Sequence, residues 1–539
     1  MLASLRAHYK ERRSMSIIRH PQRSNTITLA YSVLLLACGI ASAKMIYDLR
    51  TEQNGASNPT DNTVLTAPDG HKDAGEAQSS EALALDPDIE RRIHEILQGA
   101  DTENSSDAPQ SLADSVPVAN PGVDPGPVVT RTAPQIAPMA PIRQRTPLHD
   151  QMVTPGNFEY LGAFRPPIVH DMDSKFSYGG WAVAYREGGD PDGPDDGFPG
   201  SIFIVGHRNE ELVAEIAIPR PAISERKSLD DLPVCEVLQP FADITSGIRT
   251  KMTNGSSEPF MIGGLQVLDN KLHWTIYKYY NVEGYDYYSH GVSSLNLRRP
   301  NARGPWHLGP FNTGQSAWHS YKNAGYVFDI PEPIATQYFG GRNLISGLQI
   351  STGLQQSSQG PAFYAYKTPY PAPPGGTDID AVPMTWYPVD DPIPGHHYAD
   401  RWRGAAWVTV GNKHTIVVVG RKAHGEIYYG LPRPGDCYDD KGYHGSSYEA
   451  QALFYTPNQL LEGSRMSVPN TPPALRWDSQ TPGGSLNRFL FQNCGKEIGG
   501  VTYDRARNLL YIVEIAAGYA KENEWELLPI VHIMRLVAE

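Results

Sequence analysis

Residues 51–147 contain no phenylalanine, tryptophan or tyrosine. They carry 15 acidic and 6 basic side chains and runs such as VPVANPGVDPGPVVTRTAPQIAPMAPIRQRTP. Such a segment buries too little apolar surface to offset the entropy of ordering it, which excludes a packed core there and predicts a disordered tether over 44–147. Its one periodic stretch, LDPDIERRIHEILQGA at 85–100, places Ile89, Ile93 and Ile96 on one helical face and predicts a short amphipathic helix. Cysteine is scarce, with four in 539 residues. None forms a CxxC or Cys/His spacing, which argues against structural zinc. A Walker loop, a dinucleotide fingerprint and a nucleophile elbow are missing, and no serine has a readable triad context. Excess basic charge is missing too: the chain carries −13 overall, and residues 148–539 carry −10. An acidic folded part repels phosphates, so no nucleic-acid partner is expected.

The N-terminus reads as an export signal or single-pass anchor over 1–43. Arg6, Lys10, Arg12, Arg13, Arg19 and Arg23 precede the apolar run ITLAYSVLLLACGIASA. Three outcomes stay open: cleavage after Ala41-Ser42-Ala43, retention as a membrane anchor, or lipidation at Cys38. Each places the folded part outside the cytoplasm, in the periplasm, the envelope or the medium. Setting Cys38 aside leaves Cys235, Cys437 and Cys494, which in an oxidising compartment suits one disulfide and one thiol. Cys437 and Cys494, in the loop-like contexts GDCYDD and QNCGKE, are the expected pair; three reduced thiols are the alternative.

What is present in abundance is a repeated unit: a glycine-led apolar strand, a tight turn and a second apolar strand. It appears as YGGWAVAY…SIFIVGH (178–207), IGGLQVLDNKLHWTIY (262–277), RGAAWVTVGNKHTIVVVG (403–420) and IGGVTYDRARNLLYIVEI (498–515). A partial copy, GGRNLISGLQIS with QGPAFYAY, occupies 340–366. Units at this scale predict an all-β fold, a β-propeller over 148–539 with five blades, six being the alternative count. The Gly-Gly pairs mark crowding of inner strands around an axis. FEYLGAF (158–164) is expected to close the ring by joining the last blade. AGYVFDIPEP (324–333) echoes AEIAIPRP (214–221), so the same blade edge is expected to occur twice. PEPIATQYFG (331–340) and TPNQLLEG (456–463) read as short helical connectors. A β-sandwich is the competing fold, but it leaves the glycine-led unit unexplained.

FEYLGAFRPP, YGGWAVAY…SIFIVGH with ELVAEIAIP, YEAQALFYTPNQL and GGVTYDRARNLLYIVE…PIVHIMRL resemble a group of exported bacterial β-propeller proteins to which no activity is assigned. The resemblance covers 155–539 and implies a fold and a compartment but no catalytic residue. Five-bladed propellers also carry arabinanase-like and invertase-like glycoside hydrolases, a likeness of fold alone.

Loops entering the inner strands of a propeller converge at one end of its axis. The acids near these entrances are Asp171, Asp173, Glu258, Glu449 and Glu497. A pair of carboxylates facing a sugar would serve as acid and base or nucleophile, although an acid at such a place also caps turns. HHYADRWRGAAW (396–407), GQSAWHSYKN (314–323) and KGYHGSSYEAQ (441–451) gather aromatic rings with Arg, His and carboxylates, a mixture that suits a polyhydroxylated or acidic ligand. From these segments come Glu449, His397 and Arg401 as candidate catalytic residues, and Trp318, His319, Trp402, His444 and Tyr448 as candidate ligand contacts. The ordinary alternative is that these side chains fill contacts between blades. KYYNVEGYDYYSHG (278–291) is a possible stacking platform. Asp190, Asp192, Asp195 and Asp196 form a candidate calcium loop, although D-x-D-x-x-D-D-G departs from the EF-hand pattern. The expected function is a glycan-binding or glycan-processing propeller of glycosidase or lyase type, with a polysaccharide or an envelope protein as partner. A non-catalytic scaffold or protein-binding propeller is the alternative.

Overall fold

Strands packed on both faces need apolar side chains at consecutive positions, and the chain supplies them. SIFIV at Ser201–Val205 and FYAY at Phe363–Tyr366 are buried at every position. The computed structural model describes residues 151–539, apart from 171, 191–192, 194–196, 253–258, 282, 315, 350–355, 438–440, 492–493 and 539. The export leader, the tether, the 85–100 helix, Asp171, Glu258 and three of the four calcium-loop aspartates (Asp192, Asp195 and Asp196) lie outside the described residues. Among the described residues, no helix is long and apolar enough to cross a membrane.

The described strands make five sheets. After β1 (Phe158–Phe164), blade one is β2 (Val183–Arg186), β3 (Ser201–Val205), β4 (Val213–Ala217) and β5 (Val237–Ala242). A single turn, α1 (Ile248–Lys251), leads to blade two: β6 (Met261–Leu268), β7 (Lys271–Tyr277), β8 (His290–Ser294) and β9 (Arg303–Leu308). Blade three holds β10 (Val327–Asp329), β11 (Leu344–Ser346) and β12 (Phe363–Tyr366), with α2 (Glu332–Tyr338) between its first two strands. Next, β13 (Thr377–Ile379) runs parallel to β9 on blade two, and β14 (Ala381–Thr385) completes blade three. Blade four is β15 (Arg401–Val410), β16 (Lys413–Gly430), β17 (Gly442–Tyr455), α3 (Pro457–Gly463) and β18 (Leu475–Trp477). Blade five is β19 (Ile498–Asp504), β20 (Leu509–Ala520) and β21 (Asn523–Leu536).

The five innermost strands close a ring: β2 lies beside β6, β6 beside β10, β10 beside β15, β15 beside β19 and β19 beside β2. This is a five-bladed β-propeller. β1 pairs antiparallel with β21, so the N-terminal strand completes the sheet begun by the C-terminal ones and locks the ring. The core lies in the seams between blades, one for each pair of neighbours. Phe203 and Trp274 share the seam between blades one and two, Trp306 and Tyr364 that between two and three, and Trp407 and Phe363 that between three and four. Trp477 and Leu510 share the next seam, and Tyr511 and Ile204 the last.

Local chemistry matches the elements. Asp269 and Asn270 both take positive φ, 51° and 56°, as a two-residue hairpin turn requires. Thr456 and Gln459 cap the start of α3 reciprocally. One expectation is corrected. Segment 324–333 supplies the innermost strand of blade three, whereas 214–221 lies in and just after the third strand of blade one, so the two are not the same edge; GGRNLISGLQIS supplies the second strand, not the inner one. The inner strand has three residues and a single leading glycine, Gly325, so its pattern is too short to stand out.

Candidate functional site

The glycine pairs explain where space remains at the axis. A Cβ on Gly264 would lie 2.4 Å from the Gly325 carbonyl oxygen, one on Gly404 2.7 Å from that of Gly499, and one on Gly500 2.7 Å from the Val183 nitrogen. Real Cβ atoms do not come so close, so these positions must be glycine for the inner strands to meet. Just before each of these contacts the pairing slips. In blade two the irregularity falls between Ile262 and Gly264, and in blade four between Trp402 and Gly404. The extra residue is therefore Gly263 in blade two and Arg403 in blade four. A bulge re-aims its side chain.

At this end of the ring lies a cavity of about 370 Å³, within the size range of small-molecule sites. Blade one contributes Trp181, blade two Tyr277, Tyr279 and Tyr280, blade three Tyr326 and Gln349, and blade four Arg401, Trp402 and Arg403. An outward extension of the blade-four hairpin adds Tyr429, Lys441 and Tyr443. The described lining therefore has eight aromatic rings, three cations and no carboxylate or histidine.

Glu497, at the start of blade five, organises the cations from behind. Its Oε1 lies 3.4 Å from Arg401 Nη1 and 3.4 Å from Arg403 Nε, and its Oε2 accepts from the buried Arg421 at 2.6 Å. Three guanidiniums thus gather on one carboxylate. Arg403 Nη1 also reaches the Tyr277 hydroxyl at 3.4 Å. Burial raises the Tyr277 phenol above its ordinary pKa, with Arg403 opposing, so Tyr277 meets the cavity as a neutral hydroxyl.

Side chains from the preceding blade anchor the first peptide groups of two inner strands. Gln349 Oε1 accepts from the Trp402 amide at 3.1 Å, and Glu211 Oε2 accepts from the Ile262 amide at 2.9 Å. Burial pushes the Glu211 carboxyl up to about 8, against the lowering effect of the Ile262 amide and Arg249. Among the buried donors of lining residues, Arg403 Nε has only its 3.4 Å approach to Glu497, and Gln349 Nε2 and Trp402 Nε1 find no hydrogen-bond partner among the described residues. Gln349 and Trp402 are deeply buried, at 4% and 1% exposure. An unpaired buried donor costs roughly 1–3 kcal/mol, and both atoms are closed off from solvent behind the cavity surface.

The sequence-derived candidates fall into three places. Arg401 and Trp402 line the axial cavity. His397, His444, Tyr448 and Glu449 form a separate group on blade four. There Glu449 sits opposite Lys422 in the ladder, and its Oε2 meets His424 Nε2 at 3.1 Å and accepts from Ser479 Oγ at 3.4 Å. The His397 amide donates to Asp400 Oδ2 at 2.8 Å, while Asp400 Oδ1 accepts from Lys422 Nζ at 2.9 Å. Tyr448 lies 4.4 Å beneath the Arg421 guanidinium, and His444 stacks on Tyr428 at 5.0 Å. Trp318 and His319 form the third place. Trp318 packs toward Tyr364 in the seam between blades two and three. His319 accepts from the Tyr321 amide at 3.1 Å, and the Tyr321 hydroxyl donates to the Tyr279 carbonyl at 2.8 Å, so His319 stands one layer behind the cavity wall.

Of the calcium-loop residues, Asp190 alone is described. No group of three His, Cys, Asp or Glu with metal-holding geometry occurs among the described residues. Cys437 and Cys494 are joined by a disulfide, and Cys235 is a buried free thiol. Residues not singled out from the sequence are Trp181, Tyr277, Tyr326, Gln349 and Tyr429, whereas Arg403 belongs to HHYADRWRGAAW and Lys441 and Tyr443 to KGYHGSSYEAQ. Arg403 also stands where other copies of the repeat have glycine.

No protein-family model and no curated protein matches this chain. Among solved structures, one described as "The GH130 family of mannoside phosphorylases contains glycoside hydrolases that target beta-1,2 mannosidic linkages in Candida mannan" is similar over 71% of this chain and 96% of its own, at 12% identity and a TM-score of 0.33. A likeness of that degree carries no argument about the site, whose reading rests on its own geometry.

Proposed function

We propose that the axial cavity binds an acidic glycan, with uronate carboxylates on the Arg401–Arg403–Lys441 side and sugar rings against the aromatic wall. The observation that carries this reading is the make-up of the cavity: three cations and eight aromatic rings in the described lining, with no carboxylate, inside a chain of net charge −13. A cationic pocket on an acidic protein selects anions locally while the rest of the surface repels them. Aromatic faces take the C–H faces of sugar rings, and guanidiniums take carboxylates through paired N–H donors. Glycoside hydrolysis by two carboxylates needs both acids beside the scissile bond, at separations of roughly 5–10 Å. The described lining offers none, which favours binding over hydrolysis.

The test is calorimetric titration of the protein with a short oligogalacturonate and with a neutral mannose oligomer of equal length, at low and high salt. Saturable binding of the acidic oligomer, weakened by salt, is expected, because exposed charge pairs are screened. Equal affinity for both oligomers, or silence toward the acidic one, rejects the reading. Reducing and unsaturated ends counted in the same samples show whether binding leads to cleavage.

A further inference from the structure

We infer that the axial cavity takes the end of an acidic glycan and not an internal stretch, with the terminal uronate inside on the Arg401–Arg403 side and the glycan leaving past the rim tyrosines. The acidic-glycan reading supplies the chemistry of this ligand; the way the cavity is closed supplies the rest.

Burial sorts the lining by depth. Trp181, Tyr277, Tyr326, Gln349 and Trp402 are buried, whereas Tyr280 and Tyr429, on blades two and four, are 58% and 57% exposed and form the rim. Along β6 and β15 the described lining stops at Gly263 and Arg403, the third residue of each strand. At that level neighbouring blades are in contact at every seam. A Cβ on Gly263 would lie 2.1 Å from the Ala324 carbonyl oxygen, one on Gly404 2.7 Å from that of Gly499, and one on Gly499 2.3 Å from that of Gly180. Blades two and three, four and five, and five and one therefore leave no gap for a sugar ring. Hydrogen bonds bridge the other two seams: Trp181 Nε1 donates to the Ile262 carbonyl at 3.1 Å, and the Trp402 amide donates to Gln349 Oε1 at 3.1 Å.

The far end of the axis is shut as well. Arg505, in the turn after β19, donates through Nη2 to Asp329 at the end of β10 at 2.8 Å, and through Nη1 to the Trp407 carbonyl on β15 at 3.1 Å. Gln266 of β6 donates to the same aspartate at 3.4 Å. Blades three and five flank blade four and are not neighbours, so this ion pair passes beneath the inner strand between them. Among the described residues the way in and the way out are thus the same, at the rim. A glycan held by an internal residue has to double back through that mouth, and a cavity of about 370 Å³, near the lower limit for small-molecule sites, has no room for two strands. A glycan held by its end passes the rim once, and Tyr280 and Tyr429 offer faces to the residues that follow.

Calorimetric titration with oligogalacturonates of increasing length tests this. One protein should bind per glycan at every length, with the same affinity per glycan. Changing one end, by borohydride reduction of the reducing end or by an unsaturated non-reducing end, should weaken binding at least about tenfold, because groups shaped to that end lose their partners, while changing the other end should not. Tyr280→Ala should weaken every oligomer roughly twofold to tenfold through lost stacking and leave the count of one per glycan unchanged. A count that rises with length, or indifference to both end changes, overturns end recognition and leaves the acidic-glycan reading in place. Unchanged affinity in Tyr280→Ala takes the rim out of the path and overturns the seating. Silence toward every acidic oligomer rejects the acidic-glycan reading and end recognition together.

Discussion

In blade two the strand beside the axis begins Ile262-Gly263-Gly264; in blade four the matching stretch is Trp402-Arg403-Gly404. The second glycine is shared because the next blade's backbone presses on it in both places. The residue before it sits in the bulge, and there the two blades diverge. A Cβ on Gly263 would lie 2.1 Å from the Ala324 carbonyl oxygen, whereas Arg403 projects to the cavity and meets Glu497 and Tyr277. Neighbouring positions in one repeat thus carry different constraints, one imposed by ring closure and one free to serve a ligand. The anchors of the two strands differ in a parallel way. Gln349 holds the Trp402 amide as a neutral group, and Glu211 holds the Ile262 amide as an acid pushed up to about 8.

The sharpest way to break this comparison is to exchange the bulge residues. Gly263→Arg should cost about 4 kcal/mol or more, the range reached when a side chain has no room. Arg403→Gly should cost roughly 1 kcal/mol, the usual effect of glycine in a strand, because Arg401 and Arg421 still compensate Glu497. Urea unfolding of both variants decides. If the two costs are equal, the bulges are not under the different constraints argued here.

The next effect is on pH dependence. Glu211 is raised above its unfolded value, so its contribution to stability is complete below about pH 4.5 and is lost as pH rises through about 8. Glu211→Gln, which gives blade two the neutral anchor of blade four, removes that loss. Relative to wild type, the variant should gain roughly 4 kcal/mol between pH 5 and pH 9, three pH units at about 1.4 kcal/mol each. Burial lowers the Lys322 ammonium to about 7, and its linkage runs the opposite way above that pH, so the difference between the two proteins is the quantity to follow. A difference that stays flat from pH 5 to pH 9 would show that Glu211 is not held protonated.

A smaller effect, about 1–2 kcal/mol in binding and hence roughly tenfold, is expected for Arg403→Gly toward an oligogalacturonate, with a shallower salt dependence. Gly500→Ala, on the structural side of the comparison, serves as the control for loss of fold. Retained affinity in Arg403→Gly would remove the bulge arginine from the site.

Much of the ring was legible in the sequence because inner strands leave a pattern that periodicity and glycine together expose. YGG, IGG and RGA mark four blades, and FEYLGAF marks the closure with β21. Blade three showed as the partial copy at 340–366, but its innermost strand escaped, since Val327–Asp329 is too short to show a period and its neighbour Tyr326 hides behind a single glycine. The site was legible where the sequence gathers rings and cations, as with Arg401 and Trp402 in HHYADRWRGAAW and Tyr279 and Tyr280 in the tyrosine-dense stretch 278–291. Gln349 comes from the loop between the second and third strands of blade three, and Lys441 from an arm at the far end of blade four. Their meeting depends on how loops of different length fold back over the axis, which spacing along the chain does not record. His397 and Glu449, by contrast, belong to a sequence cluster that is local to blade four and stays there.

The smallest effect should come from His397→Ala. Its amide, not its ring, makes the 2.8 Å bond to Asp400, and that bond survives truncation. Burial, helped by the Lys422 ammonium, holds the imidazole below its ordinary pKa, so at neutral pH it adds no charge that an acidic ligand would feel. Stability should change by no more than about 0.5 kcal/mol, as for most substitutions away from packed or paired groups. Affinity for the oligogalacturonate should then stay within about twofold of wild type, since no ligand contact is removed. Glu449→Gln makes a useful companion, because it also removes the ion pair with His424 and so should lower stability by about 1 kcal/mol while leaving affinity alone. A tenfold loss of binding in either variant, with folding intact, would join the blade-four group to the axial cavity and extend the site outward along that blade.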